Sequence, residues 1–237
     1  MTVFEPDDPM ESRQVTANAP TVDSKESARR PDPDQIAQAL ASGALESAPC
    51  ISASNQGRVF RLQLDGYRLA VKTPAGSGLK AVANRIGLKR EHQAYRRLDG
   101  LDGFAHCFGL FENRWLVLDF VSGTPFRDAD LTTDWFESLL VSIRAMHQRG
   151  VAHGDLKRKS NLLVGAAGEP VILDLGASLI RRPGFHPLNR AMFNVLRQTD
   201  LNAWIKLKYG GYHSIAPRDR ELLRRSLFER LLSRLRT

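Results

Sequence analysis

The sequence predicts an α+β fold in two parts: an antiparallel sheet with one main helix, then a shorter, mostly helical part. Between residues 50 and 120, short apolar runs alternate with polar residues at period two and are separated by turn residues such as Asp65-Gly66. Both features are typical of strands joined by hairpins. After residue 121, apolar residues recur at helical spacing, as in Trp135, Leu139 and Ile143. Of the 237 residues, 42% are hydrophobic, which is enough to form a core.

The chain divides into three predicted segments. Residues 1–33 are rich in Pro, Ser and acidic residues and lack apolar periodicity, which predicts a disordered tail. Residues 34–120 and 121–237 form the two parts of the fold. A short helix opens the first part, with Asp34 as the predicted N-cap, Ile36 and Leu40 one turn apart, and Gly43 just past its end.

Five strands are predicted in the first part. A run starting at Cys50 breaks at residues 54–57, and the next two strands flank Asp65-Gly66. In the third strand, period two places Ala70 and Lys72 on one face and Leu69 and Val71 on the other. Residues 107–111 and 115–120 supply the last two strands. Between them and the third strand lies a helix with the predicted apolar positions Val82, Ile86, Ala94, Tyr95 and Leu98.

The second part contains a polar loop followed by a hairpin. A helix with Asp134 as the predicted cap ends at Gly150. His153-Gly154-Asp155 follows, then Asn161 directly before the apolar run 162–164, then Asp174 directly after the apolar run 171–173. This order brings two carboxylates and one amide to the ends of short strands.

The stretch 151–176 resembles the catalytic loop and metal-binding segment of protein-kinase-like phosphotransferases. It is most similar to the atypical bacterial group that holds the RIO-like kinases and the lipopolysaccharide-core (Kdo and heptose) kinases. The HGD form, with Gly in place of the usual Arg, also occurs in aminoglycoside kinases. Residues 70–72, AVK, resemble the family's Ala-x-Lys strand, and residues 116–123, LVLDFVSG, resemble its hinge. The resemblance covers roughly residues 48 to 208 and implies a bilobal kinase-like fold with a shortened C-lobe.

For the catalytic loop, the resemblance implies ATP and Mg²⁺ as cofactors and assigns a role to each residue. Asp155 would deprotonate the acceptor hydroxyl, and Lys157 would neutralise the γ-phosphoryl group. Asn161 and Asp174 would hold Mg²⁺. Asn161 lies six residues after Asp155, whereas the family's Asn lies five after, at the position of Ser160. Asn161 is aligned because the apolar strand follows it directly, and Ser160 remains the alternative metal ligand.

For the nucleotide, the resemblance assigns Lys72 to the α- and β-phosphates and Glu91 to the helix position that pairs with this lysine. Ala70 on the same strand face would also contact the nucleotide. The loop at 52–57, which ends in Gly57, would cover the phosphates. Backbone groups from Asp119 to Val121 would bind the adenine edge.

Charge is distributed unevenly in this chain of net charge +8. From Arg181 to the end there are thirteen Lys and Arg against four acidic residues, whereas residues 1–34 have eight acidic residues against four basic. A basic end suits an anionic partner such as a membrane face, a phosphorylated glycolipid or nucleic acid, of which nucleic acid is the least expected. A solvated basic surface is the plain alternative. A predicted final helix would pack on the second lobe or lie on a membrane through its leucines Leu223, Leu227, Leu231 and Leu235.

These features predict an ATP-dependent phosphotransferase whose acceptor is a sugar of the lipopolysaccharide inner core. A RIO-like Ser/Thr protein kinase, with a protein as acceptor, is the alternative, since Asp155-Leu156-Lys157 resembles the motif of Ser/Thr kinases. A pseudokinase or docking module without turnover is the alternative from another class. Two cysteines, no signal-peptide pattern and no apolar run of about 20 residues predict a cytoplasmic protein, with peripheral contact at the inner face of the membrane through its basic C-terminal region.

Overall fold

The computed structural model describes residues 29–54 and 57–224 and has the predicted α+β class. Its first part is a five-stranded antiparallel sheet, and helices dominate afterwards. The sheet order is β1-β2-β3-β5-β4, so β3 lies at the centre with a partner on each edge. The strands are β1 Cys50–Ala53, β2 Gly57–Leu64, β3 Tyr67–Pro74, β4 Cys107–Phe111 and β5 Trp115–Asp119.

The β2–β3 hairpin turns at Asp65-Gly66 as predicted. Both turn residues have positive φ, 48° and 79°, as a two-residue turn of type I′ requires. Leu64 therefore pairs with Tyr67, and the register continues to Gly57 opposite Pro74. This register directs Leu69 and Val71 to one face, where both are fully buried.

Helix α1, Pro33–Ala41, covers that face of the sheet. Its Ile36 and Leu40 are buried in one cluster with Leu69 and Val71. The prediction of Asp34 as N-cap was wrong: the side chain of Asp32 accepts a hydrogen bond from the Asp34 amide at 2.9 Å. Pro33 explains the difference, because its fixed φ favours the first helical position. The N-cap is then the residue before Pro33, which is Asp32.

Helix α2, Gly78–Leu98, packs on the opposite face of the sheet through its C-terminal half only. Ala94, Tyr95 and Leu98 are buried as predicted. Val82 and Ile86 were predicted to be core positions and are not, since they are 51% and 55% exposed. No residue of α2 before Leu88 is buried, so the apolar spacing continues beyond the part of the helix that has a packing partner.

The second part is built around α3, Thr133–Gln148, and α4, Pro187–Tyr209. Trp135, Leu139, Ile143 and Met146 of α3 are buried as predicted. Its N-cap is Thr132 rather than Asp134, because the Thr132 hydroxyl accepts from the Trp135 amide at 3.2 Å. Short elements surround the two helices: β6 Gly123–Pro125, β7 Val151–Ala152, β8 Leu162–Gly165, β9 Pro170–Ile172, β10 Leu179–Ile180, α5 Pro217–Arg220 and 3₁₀ turns at Lys159–Asn161 and Leu175–Ala177.

Two predictions fall wholly or largely outside the described residues. The disordered tail is predicted for residues 1–33, of which residues 1–28 are not described. Of the four leucines of the predicted final helix, only Leu223 is among the described residues. Within the described ranges, no helix has the length and apolarity needed to cross a membrane.

The contact of α1 with the sheet generates a stability prediction. Ile36→Ala should lower the free energy of unfolding by about 2–5 kcal/mol, because it leaves a cavity at a fully buried position. Gln38→Ala, on the exposed side of the same helix, should change it by less than about 0.5 kcal/mol. Urea denaturation of both variants measures this, and equal losses would contradict the packing of α1.

Candidate active site

One buried ammonium group joins three segments of the chain. Lys72 Nζ on β3 lies 2.8 Å from Glu91 Oε2 on α2 and 2.8 Å from Asp174 Oδ1 after β9. The Glu91 side chain is only 3% exposed, and that of Lys72 is 19% exposed. The alternation of β3 explains the placement, because Lys72 projects from the face opposite Leu69 and Val71, towards α2.

The three charges shift one another's pKa values. Burial lowers the pKa of Lys72, but the carboxylates of Glu91 and Asp174 outweigh it, and the net pKa lies above the usual value. Burial raises the pKa of Glu91 in spite of the ammonium beside it. Burial also acts to raise the pKa of Asp174, yet the ammonium of Lys72 outweighs it there and lowers the net pKa. The opposite outcomes follow from exposure, since the Asp174 side chain is 38% exposed.

The backbone around Asp174 is held in an uncommon conformation. Asp174 has φ 58° and ψ 74°, in the left-handed region that side chains rarely adopt. Its neighbour Leu173 fixes the segment, because the Leu173 amide donates to Asn161 O at 2.8 Å. His153 Nε2 donates to Leu173 O at 3.0 Å. The fully buried His153 therefore braces the loop.

The catalytic-loop candidates lie beside this segment. Asn161 is 3% exposed, and its Nδ2 donates to Asp155 O at 3.2 Å. Ser160 is exposed, so the structure turns Asn161 rather than Ser160 towards the interior. Asp155 Oδ2 lies 3.3 Å from Arg158 Nε, a contact that the sequence did not indicate. Lys157 is exposed and forms no ion pair with any described residue.

The nucleotide-side candidates lie on the three inner strands of the sheet, β2, β3 and β5. Gly57 begins β2, and a Cβ there would overlap the carbonyl oxygen of Thr73, so this position requires glycine. Ala70 pairs with Leu118 on β5, near the hinge. The Asp119 amide already donates to His106 O at 2.9 Å, and its carboxylate accepts from Tyr67 Oη at 2.6 Å.

The hinge therefore offers fewer backbone donors than the resemblance implied. The Phe120 amide donates to Arg68 O at 3.1 Å, so it is occupied in the same way as that of Asp119. Among the hydrogen bonds of turns and loops in the described residues, Val121 is the one of the three hinge residues whose amide donates to no backbone oxygen.

Asp200 on α4 is a site residue that the sequence analysis missed. It is fully buried, and its carboxylate accepts from the His153 amide at 2.8 Å, the Gly154 amide at 2.9 Å and His147 Nε2 at 3.0 Å. Asp200 is thus a positioning residue that holds the backbone before Asp155. An acidic residue on the apolar stripe of α4, between Phe193 and Trp204, is the signal that could have identified it.

Comparison with known proteins agrees with this geometry, although no protein-family model matches the chain. Serine/threonine-protein kinase chk1 of Schizosaccharomyces pombe is 34% identical over 107 residues, which are 40% of this chain and 21% of that kinase. Kinase RIM15 of Saccharomyces cerevisiae is 29% identical over 159 residues, 58% of this chain and 9% of the kinase. Human serine/threonine-protein kinase 16 is 33% identical over 102 residues, 36% of this chain and 33% of the kinase.

The chain is similar to serine/threonine protein kinases. It spans a third or less of the length of these relatives. The bilobal arrangement, the Lys72–Glu91 pair and these similarities together support a protein-kinase-like phosphotransferase. None of these relatives belongs by name to the lipopolysaccharide-core or RIO-like group.

The lowered pKa of Asp174 generates a pH prediction. A carboxylate whose pKa is lower in the folded chain than in the unfolded chain stabilises the fold above the ordinary carboxyl range near about pH 4. This stabilisation disappears as the pH falls through the lowered pKa. The difference in unfolding free energy between wild type and Asp174→Asn should therefore be largest at neutral pH and shrink below about pH 4.

Urea denaturation between neutral and acidic pH measures this difference, with the exposed Asp130→Asn as the control for removal of a carboxylate. A difference that stays constant across the titration would mean that the Lys72–Asp174 contact does not stabilise the folded chain.

The position of Asp200 generates a second prediction for this site. Asp200→Asn leaves at least one of the two loop amides without an acceptor, which should lower the free energy of unfolding by about 1–3 kcal/mol. Turnover should fall more than ATP affinity, because Asp200 holds the acceptor side of the site. Steady-state kinetics and urea denaturation measure both quantities, with the exposed Asn194→Ala on the same helix as control. Full activity in a correctly folded Asp200→Asn variant would remove its positioning role.

Proposed function

We propose that this chain is an ATP-dependent phosphotransferase that transfers the γ-phosphoryl group to a serine or threonine hydroxyl of a protein. The observation that carries the proposal is the ion-paired Lys72–Glu91–Asp174 set, partly buried, next to the loop with Asp155 and Asn161. Phosphoryl transfer depends mainly on positioning and charge neutralisation, which this arrangement supplies. The similarity to serine/threonine protein kinases supports a protein acceptor.

On the nucleotide side, Lys72 holds the α- and β-phosphates while Glu91 fixes its ammonium. The raised pKa of Lys72 keeps this ammonium charged at neutral pH. Val121 N–H and Asp119 C=O meet the adenine edge, and Gly57 lets the β1–β2 loop approach the phosphates closely.

The donor set also fits Mg²⁺, a hard cation that prefers carboxylate and amide oxygens and needs only one or two carboxylates beside the phosphates. Lys72 and the Gly176 amide both contact Oδ1 of Asp174, which leaves Oδ2 for a cation. Asn161 uses Nδ2 for its bond to Asp155 O, and its Oδ1, which accepts only a long hydrogen bond of 3.5 Å from the Ser160 hydroxyl, is the oxygen for a cation. When bound, Mg²⁺ would neutralise charge on the phosphates.

On the acceptor side, Asp155 orients the incoming hydroxyl and takes its proton. Arg158 contacts the same carboxylate, and at 62% exposure its side chain can turn aside when an acceptor binds. Lys157 is free to approach the γ-phosphoryl group. The presence of Lys72, Glu91 and both acidic residues in these positions favours turnover over a pseudokinase without activity.

A sugar of the lipopolysaccharide inner core is the second acceptor that we consider. The surplus of basic residues after Arg181 supports it, because such a surface suits a phosphorylated glycolipid. The same surplus supports peripheral contact with the inner face of a membrane by a cytoplasmic enzyme. The relatives favour the protein acceptor, and we rank the sugar below it.

Asp155→Asn is the decisive variant. It preserves size and removes the proton acceptor, so the transfer rate should fall by about 10²–10⁴. ATP affinity should change little, because Asp155 is not a metal ligand in this proposal. Transfer of labelled phosphate and calorimetric titration with ATP and Mg²⁺ measure the two quantities, with the exposed Asp128→Asn as control. An Asp155→Asn variant as active as wild type would overturn the assignment.

Two further comparisons complete this test. Asn161→Ala should weaken Mg²⁺-dependent ATP binding and Ser160→Ala should not; the reverse result would move the metal ligand to Ser160. Generic protein substrates and purified lipopolysaccharide core, assayed side by side, decide between the acceptors. Absence of ATP binding with and without Mg²⁺ would reject the kinase function altogether.

A further inference from the structure

A basic cleft lies between α3 and α4, behind the catalytic loop. Its volume is about 390 Å³, and it is lined by Arg144, His147 and Gln148 of α3, Arg181 after β10, and Arg197 and Leu201 of α4. We call it the arginine cleft. Three of its six lining residues carry a permanent positive charge, and none is acidic.

The three arginines have no carboxylate partner among the described residues. No ion pair includes Arg144, Arg181 or Arg197, and the sequence contains no Asp or Glu between Asp174 and Asp200. The acids nearest to these arginines in the sequence are engaged elsewhere: Glu137 pairs with Lys208 and Arg218, Asp174 pairs with Lys72, and the fully buried Asp200 accepts three hydrogen bonds. The cleft therefore concentrates positive charge that the described part of the fold leaves uncompensated.

Two of the arginines are positioned by one buried ring. The guanidinium carbons of Arg181 and Arg197 lie 5.8 and 5.9 Å from the centroid of Phe193, which is 1% exposed. Both distances are within the range of a cation–π contact. The Arg181 backbone is also fixed, since its amide donates to Gly150 O at 2.8 Å and its carbonyl accepts from Arg97 Nη1 at 3.1 Å. Such preorganisation reduces the entropy lost when an anion binds.

We propose that the arginine cleft is a binding site for a phosphoryl group, either inorganic phosphate or a phosphorylated serine or threonine side chain. Guanidinium groups match the oxygens of phosphate with paired N–H donors, and three of them suit a dianion. No Phe, Tyr or Trp side chain lines the cleft to stack a base, which makes nucleic acid a poorer match.

The cleft is connected to the catalytic loop through His147. This residue lines the cleft and donates to Asp200, whose carboxylate holds the amides of His153 and Gly154. A phosphoryl group bound to arginines from α3, α4 and the segment after β10 ties together the three elements that support the loop. Phosphate bound in the cleft should therefore raise turnover. This effect on turnover rests on the proposed function, whereas the binding of phosphate does not rest on it.

Titration of the full chain with inorganic phosphate tests the binding, in buffers matched with chloride for ionic strength. Phosphate should raise the melting temperature of wild type, because a ligand that binds only the folded state stabilises it. Arg144→Gln and Arg197→Gln should each weaken phosphate binding by about tenfold or more, since each removes charged hydrogen bonds. Arg144 is exposed, so its variant keeps the test valid if Arg197→Gln fails to fold.

Arg114→Gln is the matched control, because Arg114 is a half-exposed arginine that pairs with Glu112 on the other lobe. A phosphoserine peptide that binds more tightly than phosphate and than its unphosphorylated form would identify a phosphorylated side chain as the source. Equal binding of free phosphate and phosphopeptide would identify the free anion.

Three results would overturn the site. The first is that phosphate has no effect beyond that of chloride, and the second is that wild type and both cleft variants bind phosphate with equal affinity. The third is that wild type binds an oligonucleotide but no phosphate, and the cleft variants lose the oligonucleotide binding. The cleft and the proposed function can be tested separately. If Asp155→Asn loses activity but binds phosphate as wild type does, both proposals hold. If the chain binds phosphate but not ATP, the cleft is supported and the proposed function is rejected.

Discussion

The shared contact of Lys72 with Glu91 and Asp174 is the interaction on which the arrangement of the two lobes depends. It connects the central strand of the sheet, the buried half of α2 and the segment after β9 through one nitrogen atom. The Glu91 carboxylate is 3% exposed, so its charge would be costly without the ammonium of Lys72. Removal of one partner of a buried ion pair costs about 3–5 kcal/mol. The surrounding elements are therefore constrained to keep all three charges together.

Neighbouring packing serves that constraint. Tyr95, one turn along α2 from Glu91, is almost fully buried, and α1 covers the reverse face of β3 with Ile36 and Leu40. Buried residues of α2 begin only at Leu88, so the part of α2 that carries Glu91 is the part that packs in the core. This is why the exposed N-terminal half of α2 can keep apolar residues without fixing the position of Glu91.

The sequence predicted the features that depend on local pattern and on motif order. Strand alternation placed Lys72 opposite Val71, and Asp65-Gly66 marked its hairpin, because both follow from backbone geometry. It failed where neighbours in space decide. Val82 has helical spacing but is 51% exposed, Asp32 rather than Asp34 caps α1 because Pro33 takes the first helical position, and the buried Asp200 was not identified. The Arg158–Asp155 contact depends on a side-chain conformation that no pattern encodes.

Two buried carboxylates hold the two sides of the candidate site, and they do so independently. Glu91 reaches the nucleotide side from α2 through Lys72, whereas Asp200 reaches the acceptor side from α4 through the amides of His153 and Gly154. No hydrogen bond links Glu91 and Asp200 within the described residues: α2 packs mainly on the 3₁₀ turn Leu175–Ala177, whereas α4 packs on α3, β7 and β10. The bond from Leu173 to Asn161 joins the two halves. Asp200 of α4 holds the two loop amides, and the Trp204 indole of the same helix donates to Phe136 O at 2.7 Å, so α4 is itself fixed against α3 beneath the acceptor site.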